Sequence, residues 1–292
     1  MDQRSTFAST VSELLDAHPE LAIVLADISV ELFADDALRH PDRVINVGIR
    51  EQLQVGVAGG LALTGRRPVI HTYAPFLVER AYEQIKLDLD HQQVGAILVG
   101  IGGSYDTAPQ GRTHFSPADV ALFDTLGEWT VRTPGHPAEV KRAIQEAVRA
   151  DGRIYVRLEK RSNADPHEDY DVIRTGGSAT VFAVGTSLDT VTEATRDLDV
   201  TLIYLNAPRP LDQVRLRSLT KTPEVVVVEP YLKGTSSAVF TEALRDAPRR
   251  FTFLGVGGRD LHLFGTPEDH DRAHGLDVAG TRRSIEAVLP AR

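Results

Sequence analysis

The stretch "RVINVGIREQLQVGVAGGLALTGRRPVIHTYAPF", residues 43–76, carries the reading of the fold. It opens on apolar residues of strand type, turns at Gly48 and enters a nearly apolar, Ala/Gly/Val-rich run of helical length. A second strand-like run, "RPVIHT", follows. Strand, helix and strand in succession mark an α/β protein with a largely parallel sheet. Glu51 stands where the first strand hands over to the helix. An acid in a helix's first turn is favoured by the helix dipole, by ~0.3–1 kcal/mol, and that alone explains many such residues. Here, however, the helix behind it is built of small residues. Gly56, Gly59 and Gly60 each lower helix propensity by ~1 kcal/mol relative to Ala, which a chain tolerates where something packs close. A carboxylate beside such a helix is expected to be partly desolvated and able to share a proton with a ligand.

The same alternation extends in both directions. "LAIVLAD", "RVINVG", "RPVIHT", "VGAILVG", "EWTVRT" and "RIYVRL" read as short buried strands, with helical patterns at 5–17, 50–64, 76–90, 117–126 and 138–149. "SPAD" predicts a helix start with Ser116 as N-cap, Pro117 at the first helical position and Asp119 as the capping acid; "HPAE" at 136–139 repeats the Pro-then-Glu arrangement. Residues 163–177 are polar and contain Pro and Gly, and they read as a linker. "SATVFAV", "VTLIYL", "EVVVVEP" and "RFTFLGV" then alternate with helical patterns at 188–198, 211–219, 235–246 and 277–288. The expectation is α/β throughout: two doubly wound domains, 1–162 and a smaller one at 178–292.

Composition bounds the function. Apolar content of 42% and charged content of 25% over 292 residues suit a soluble globular protein. No apolar run approaches the ~18 residues of a membrane span, and the acidic, amphipathic start does not read as a signal peptide. The absence of cysteine excludes disulfides and thiolate chemistry and fits a cytoplasmic protein. A net charge of −9 without a long basic run argues against nucleic acid as the main partner. The Gly pairs at 176–177 and 257–258 match no nucleotide-binding fingerprint. His262, His270 and His274 do not share one helical face, so no metal site is expected from them.

Two further segments carry candidate chemistry. In "HTYAPFLVERAYEQIK", Tyr73 and Phe76 flank a strand-to-helix turn at Pro75. They are either core aromatics or a stacking platform for a flat heterocycle. "GGSYDTAPQGRTHFSPAD", residues 102–119, is a long loop after a strand and contains His114. Loops at the carboxyl end of a parallel sheet are where ligands are met.

Taken together, these stretches resemble the transketolase family of thiamine-diphosphate enzymes. The matching runs are "ADIS", "HPDRVINVGIREQ", "GGLALTGRRPVIHTYAPFLVERAYEQI", "GRTHFSPAD", "PGHPAEV", "APRPLD" and "VVVVEP", in family order along nearly the whole chain. The first domain resembles the family's pyrimidine-binding domain and the second its C-terminal domain. The resemblance implies that Glu51 of "GIREQ" hydrogen-bonds N1′ of the cofactor's aminopyrimidine, so that the 4′-nitrogen can remove the thiazolium C2 proton. It implies that Phe76 stacks on the pyrimidine with Tyr73 beside it, that Arg80 belongs to the same cofactor-binding set, and that His114 meets the substrate oxygen. Arg4, Gln110 and Lys160 fall where the family contacts substrate.

The family's diphosphate-binding domain carries a "GDG…N" motif, and this chain has no "GDG". The chain therefore resembles the C-terminal subunit of a split transketolase. Thiamine diphosphate and a Mg2+ or Ca2+ ion would be completed by an N-terminal partner subunit in an α2β2 assembly. The implied activity is transfer of a two-carbon ketol unit from a ketose to an aldose or a carrier-bound thiol. The alternatives are the beta subunit of a 2-oxo acid dehydrogenase and a non-catalytic interaction subunit. Against the family pattern, Gln110 stands for an aspartate, Gly102 for a histidine and Glu31 for a serine near the sugar phosphate, which puts pentose-phosphate specificity in doubt.

Overall fold

Leu21–Leu25 is buried at every position, as a strand covered on both faces must be. In the computed structural model, which describes residues 1–290, this strand (β1) lies inside an all-parallel sheet. Its companions are β2 (Val44–Asn46), β3 (Arg67–Tyr73), β4 (Ile97–Ile101), β5 (Trp129–Arg132) and β6 (Arg153–Leu158), in the order β2-β1-β3-β4-β6-β5. Alternate residues serve opposite cores. Leu21, Ile23 and Leu25 meet Phe7, Val11 and Leu15 of the helix Gln3–Ala17, with Val140 and Ile144 of Pro137–Arg149. Val24, Ile70 and Leu98 face the other way, toward Val55 and Ala58 of the helix Glu51–Leu63 and toward Leu77 and Ile85. Each such side chain contributes roughly 1.5–3 kcal/mol of burial.

The second sheet holds β7 (Val172–Arg174), β8 (Ala179–Val184), β9 (Val200–Leu205), β10 (Glu224–Leu232) and β11 (Arg250–Val256) in the order β11-β10-β8-β9-β7. It is parallel except for β7, which runs antiparallel to β9 at the edge. The apolar core is continuous between the sheets: Phe123 and Val131 join one cluster with Phe182, Ile203 and Phe240. No described helix is long and apolar enough to cross a membrane.

Several local expectations need correction. β7 lies inside the segment expected to be a linker, and that segment is pinned down. Asn163 Nδ2 donates to Gly185 O (3.0 Å), Ala164 N to Asp189 (2.7 Å) and His167 N to Glu139 Oε1 (2.9 Å). A three-residue edge strand is too short to show a period. Ser116 is not an N-cap: it bridges Ser104, its Oγ donates to Glu79 (3.1 Å), and the helix begins only at Asp119–Phe123. Asp119 is fully buried and accepts from Tyr155 OH (2.8 Å) and Arg157 Nε (2.8 Å), so it is an ion-pair partner rather than a capping acid. His136 does cap Pro137–Arg149, accepting from Ala138 N (3.1 Å). The acid after it, Glu139, instead reaches across to β9, where Tyr204 OH donates to it (2.6 Å).

The helix expected at 76–90 starts at Pro75 and contains two widened, π-type stretches, Pro75–Arg80 and Ile85–His91. Such turns recur at functional sites. Two helices, Ala34–Arg39 and Pro267–His274, have no counterpart among the expected patterns, although Thr266 and Asp269 form a capping box at the start of the latter. Pro267–His274 carries His270 and His274, whose rings stack on Tyr105 at 4.9 and 5.7 Å. Among the described residues, no group of three or more His, Asp or Glu converges to hold an ion.

Candidate functional site

In the first sheet the chain leaves β1 for β2 on one side and returns to β3 on the other. The carboxyl ends of β1 and β3 therefore flank a topological switch point, where open α/β sheets bind ligands. Glu51 arrives there because Gly48, with φ of 71°, lets the chain turn sharply after β2. The helix behind Glu51 is anchored by Gln54, whose buried amide donates to Val24 O (2.8 Å) on β1 and to His71 O (3.0 Å) on β3. Close packing holds for part of this helix. A Cβ on Gly59 would lie 2.8 Å from Asp88 O and one on Gly56 3.4 Å from Asp88 Oδ2, whereas Gly60 meets nothing within 4 Å. Gly60 therefore answers to no close neighbour within this chain.

Glu51 is 2% exposed, and its Oε2 accepts from Arg80 Nη1 at 2.9 Å. Its other oxygen has no hydrogen-bond donor among the described residues. The Arg80 guanidinium also lies 4.0 Å from the centroid of the Phe76 ring, a cation–π contact. Phe76 in turn meets the His114 ring edge-on at 4.9 Å, and Tyr73 lies 5.7 Å from His114 and 6.0 Å from Phe76. Glu51, Arg80, Phe76, Tyr73 and His114 thus form one contiguous group. Both aromatic rings and the His114 ring are only half-buried, so part of each ring faces solvent. Partial burial, then the nearby Arg80 charge, lowers the His114 pKa. The ring is neutral at pH 7, with Thr113 Oγ1 3.0 Å from its Nδ1. A sheltered carboxylate, an aromatic face and an imidazole together are chemically suited to a flat, nitrogen-bearing ring.

Arg4, Gln110 and Lys160 make no hydrogen bond or ring contact with that group among the described residues. Arg4 Nε donates to Ser29 Oγ (2.9 Å) and its Nη2 pairs with Glu31 Oε1 (2.7 Å). Gln110 is exposed on the loop, four residues before His114. The Lys160 backbone N donates to Asp106 (2.7 Å) and the residue itself is exposed. Gly102 has φ of 77°, and a Cβ there would sit 3.1 Å from Tyr73 Cδ1. A side chain at this position would be strained and would crowd Tyr73.

Two features of the site have no counterpart in the sequence reading. Buried His71 has its pKa lowered to about 4, first by burial. Being neutral, it donates from Nδ1 to Val99 O (2.8 Å) and accepts at Nε2 from Ser29 (2.8 Å), which leaves the Ser29 oxygen to accept from Arg4. A histidine inside the apolar run "RPVIHT" was the available signal. The other is a buried charge network around Arg157, which pairs with Asp119 and Glu159. Beside it, burial and then Glu159 push the Asp106 carboxyl up to about 7. Its members are scattered along the chain, so no local pattern announces it.

Comparison with known proteins shows the family and the fold. The transketolase pyrimidine-binding domain family matches residues 1–165, over half of the chain. A Rhodococcoides fascians protein, described as an uncharacterized 33.6 kDa protein in the fasciation locus, is 46% identical over 99% of this chain and 95% of its own length. A subunit of apulose-4-phosphate transketolase from Actinobacillus succinogenes is 28% identical over 93% of this chain and 92% of its own length. The 1-deoxy-D-xylulose-5-phosphate synthase of Aeromonas hydrophila is 27% identical over 87% of this chain, which spans 42% of that enzyme. The fold matches a split-gene transketolase solved as an inactive β4 tetramer, with a TM-score of 0.85 at 23% identity, covering 99% of this chain and 98% of that one. This chain belongs to the transketolase pyrimidine-binding domain family and shares its fold, over nearly its whole length, with a split-gene transketolase chain.

Proposed function

We propose that the chain is the C-terminal subunit of a split, thiamine-diphosphate-dependent ketol transferase, active with a partner that carries the diphosphate-binding domain and its divalent ion. The observation that carries this reading is Glu51: a buried carboxylate at a helix N-terminus, with one oxygen held by Arg80 and the other free, beside the half-exposed Phe76 ring. These residues fit the aminopyrimidine half of the cofactor. Once bound, the cofactor supplies a thiazolium carbon that acts as nucleophile on a ketose carbonyl.

The chain's own residues do the rest. Glu51 shares a proton with the ring nitrogen, and its burial keeps water from competing for that hydrogen bond. Arg80 fixes the carboxylate's orientation, and Phe76 with Tyr73 offers the apolar wall. His114, neutral and edge-on to Phe76, donates to the substrate oxygen where charge develops. Arg4, the arginine expected to meet a sugar phosphate, is already engaged by Glu31 and Ser29. That exposed pairing, worth only ~0–1 kcal/mol, is expected to weaken phosphate binding at this end rather than abolish it; the acceptor is an aldose or a carrier-bound thiol.

Assembly is supported by the exposed apolar residues Leu53 and Leu63 of the Glu51 helix and Ile49 just before it, which favour burial against further subunits. The test is titration calorimetry with thiamine diphosphate and Mg2+. The chain alone is expected to bind weakly and the reconstituted pair at micromolar or tighter. Glu51→Gln in the pair is expected to slow C2–H/D exchange of the bound cofactor over a hundredfold, roughly 3 kcal/mol in barrier. Wild-type exchange in that variant would refute the role of Glu51. Tight, metal-dependent binding by the isolated chain would refute the split site.

A further inference from the structure

Every residue in the functional reading lies in the first domain, on its helices, loops and strand ends, so the second domain has no chemical task in it. Its contacts point to one. The loop that carries His114 has no regular support of its own, only the short turns Ala108–Gln110 and Arg112–His114. Second-domain groups hold it along its length. At its base, Ser104 Oγ donates to Pro230 O, and Leu232 N donates to Pro117 O (2.7 Å). Tyr105 OH donates to Asp271 (2.5 Å), while the Tyr105 and Phe115 rings pack on His270 at 4.9 and 5.0 Å.

At its tip, Arg112 faces Asp260 at 3.9 Å. Gly111, with φ of 72°, lies so close to Phe264 that an added Cβ would be 2.6 Å from Cε1. The Phe264 backbone is itself fixed, since its carbonyl lies 2.9 Å from His270 Nε2. Phe264 is 63% exposed, so burial does not explain its placement. Behind the loop is a cavity of about 200 Å³, lined by Tyr105, Arg112, Phe115, Leu232, Asp260 and His270 among others. An unclamped loop has room to relax into it.

We propose that Phe264 and Asp260 of the second domain are positioning residues that hold the Gly111–Arg112 turn and thereby keep His114 over the Phe76 and Tyr73 rings. The inference rests on the role given to His114 above. The test uses Phe264→Ala and Asp260→Asn, whose side chains are exposed or partly exposed, together with Phe264→Leu, in the chain reconstituted with its partner. Two readouts are taken: hydrogen exchange of the peptide spanning residues 105–116, and kcat against KM.

Phe264→Ala is expected to raise exchange in that peptide at least tenfold, leave β1, β3 and β4 unchanged, and lower kcat by about ten- to a hundredfold, the scale of a misplaced catalytic group. Phe264→Leu is expected to restore much of both, and Asp260→Asn to act in the same direction more weakly. Unchanged exchange in Phe264→Ala overturns the clamp, as does raised exchange with unchanged kcat in an enzyme that His114→Ala inactivates. Wild-type turnover in His114→Ala instead overturns the role of His114, while the exchange readout still decides whether the second domain holds the loop.

Discussion

His71 is a residue whose charge state the fold dictates. It sits wholly buried between β1 and β4 partners, and burial lowers its pKa from 6.5 to about 4. Between those values the unfolded chain binds a proton that the folded chain refuses. The stability that this residue contributes is therefore complete above pH 6.5 and lost as pH falls toward 4. The loss is on the order of 3 kcal/mol at ~1.4 kcal/mol per pH unit. Buried acids such as Asp106 and Glu229, whose pKa values are raised to about 7, act in the opposite sense. The expected result is therefore a difference: urea unfolding of His71→Gln should fall less between pH 7 and pH 4 than wild type. Parallel curves would show that His71 does not titrate with folding. Legibility differed from residue to residue. Glu51, Phe76 and His114 stood out by position and motif, whereas His71 looked like one more residue of an apolar strand.

At the scale of elements, the helix Glu51–Leu63 separates two uses of glycine. Gly59 has the backbone of Asp88 against it, so even a methyl group must displace a main-chain oxygen. Gly60 faces open space. Gly59→Ala is expected to destabilise the chain by ~1–3 kcal/mol through overpacking, and Gly60→Ala to stabilise it by ~0.5–1 kcal/mol through helix propensity. Denaturant midpoints at one protein concentration check both, and equal shifts would mean that the helix does not sit against Asp88. Sequence alone treated the two glycines alike because periodicity names a face but not its neighbour. The same limit explains "SPAD". Its capping pattern was sound, yet a fully buried Arg157 needed a carboxylate, and an unpaired buried charge is destabilising by ~3–5 kcal/mol. The tertiary demand on Asp119 outweighed a local cap of ~1 kcal/mol.

For the whole molecule, the exposed apolar side chains are not evenly spread. Leu53 (47% exposed) and Leu63 (63%) lie at spacings that place them on one side of the Glu51 helix, Gly60 is open between them, and exposed Ile49 (69%) comes just before the helix. A face of this kind is expected to be covered by another subunit. Sedimentation should find the chain self-associated, with Leu53→Lys/Leu63→Lys shifting it to smaller species without loss of far-UV signal. A wild-type monomer over the accessible concentration range would remove the assembly argument. The second domain belongs to this scale too, since its hold on the His114 loop exists only between domains.

By itself the sequence determined the alternation of strands and helices and a largely parallel sheet, while the resemblance of its motifs pointed to Glu51, Tyr73, Phe76, Arg80 and His114. Those follow from local periodicity, turn chemistry and short motifs, which are properties of neighbours along the chain. Only the tertiary structure decided that Arg80 holds Glu51 on one side and covers Phe76 on the other, that Glu31 engages Arg4, that Asp119 serves Arg157, and that β7 closes the edge of the second sheet. Most of these pairings join residues between 27 and 38 positions apart or lie across sheet strands. Their choice is set by burial, where an unpaired charge is most costly, and no pattern within a single element encodes which partner meets that cost.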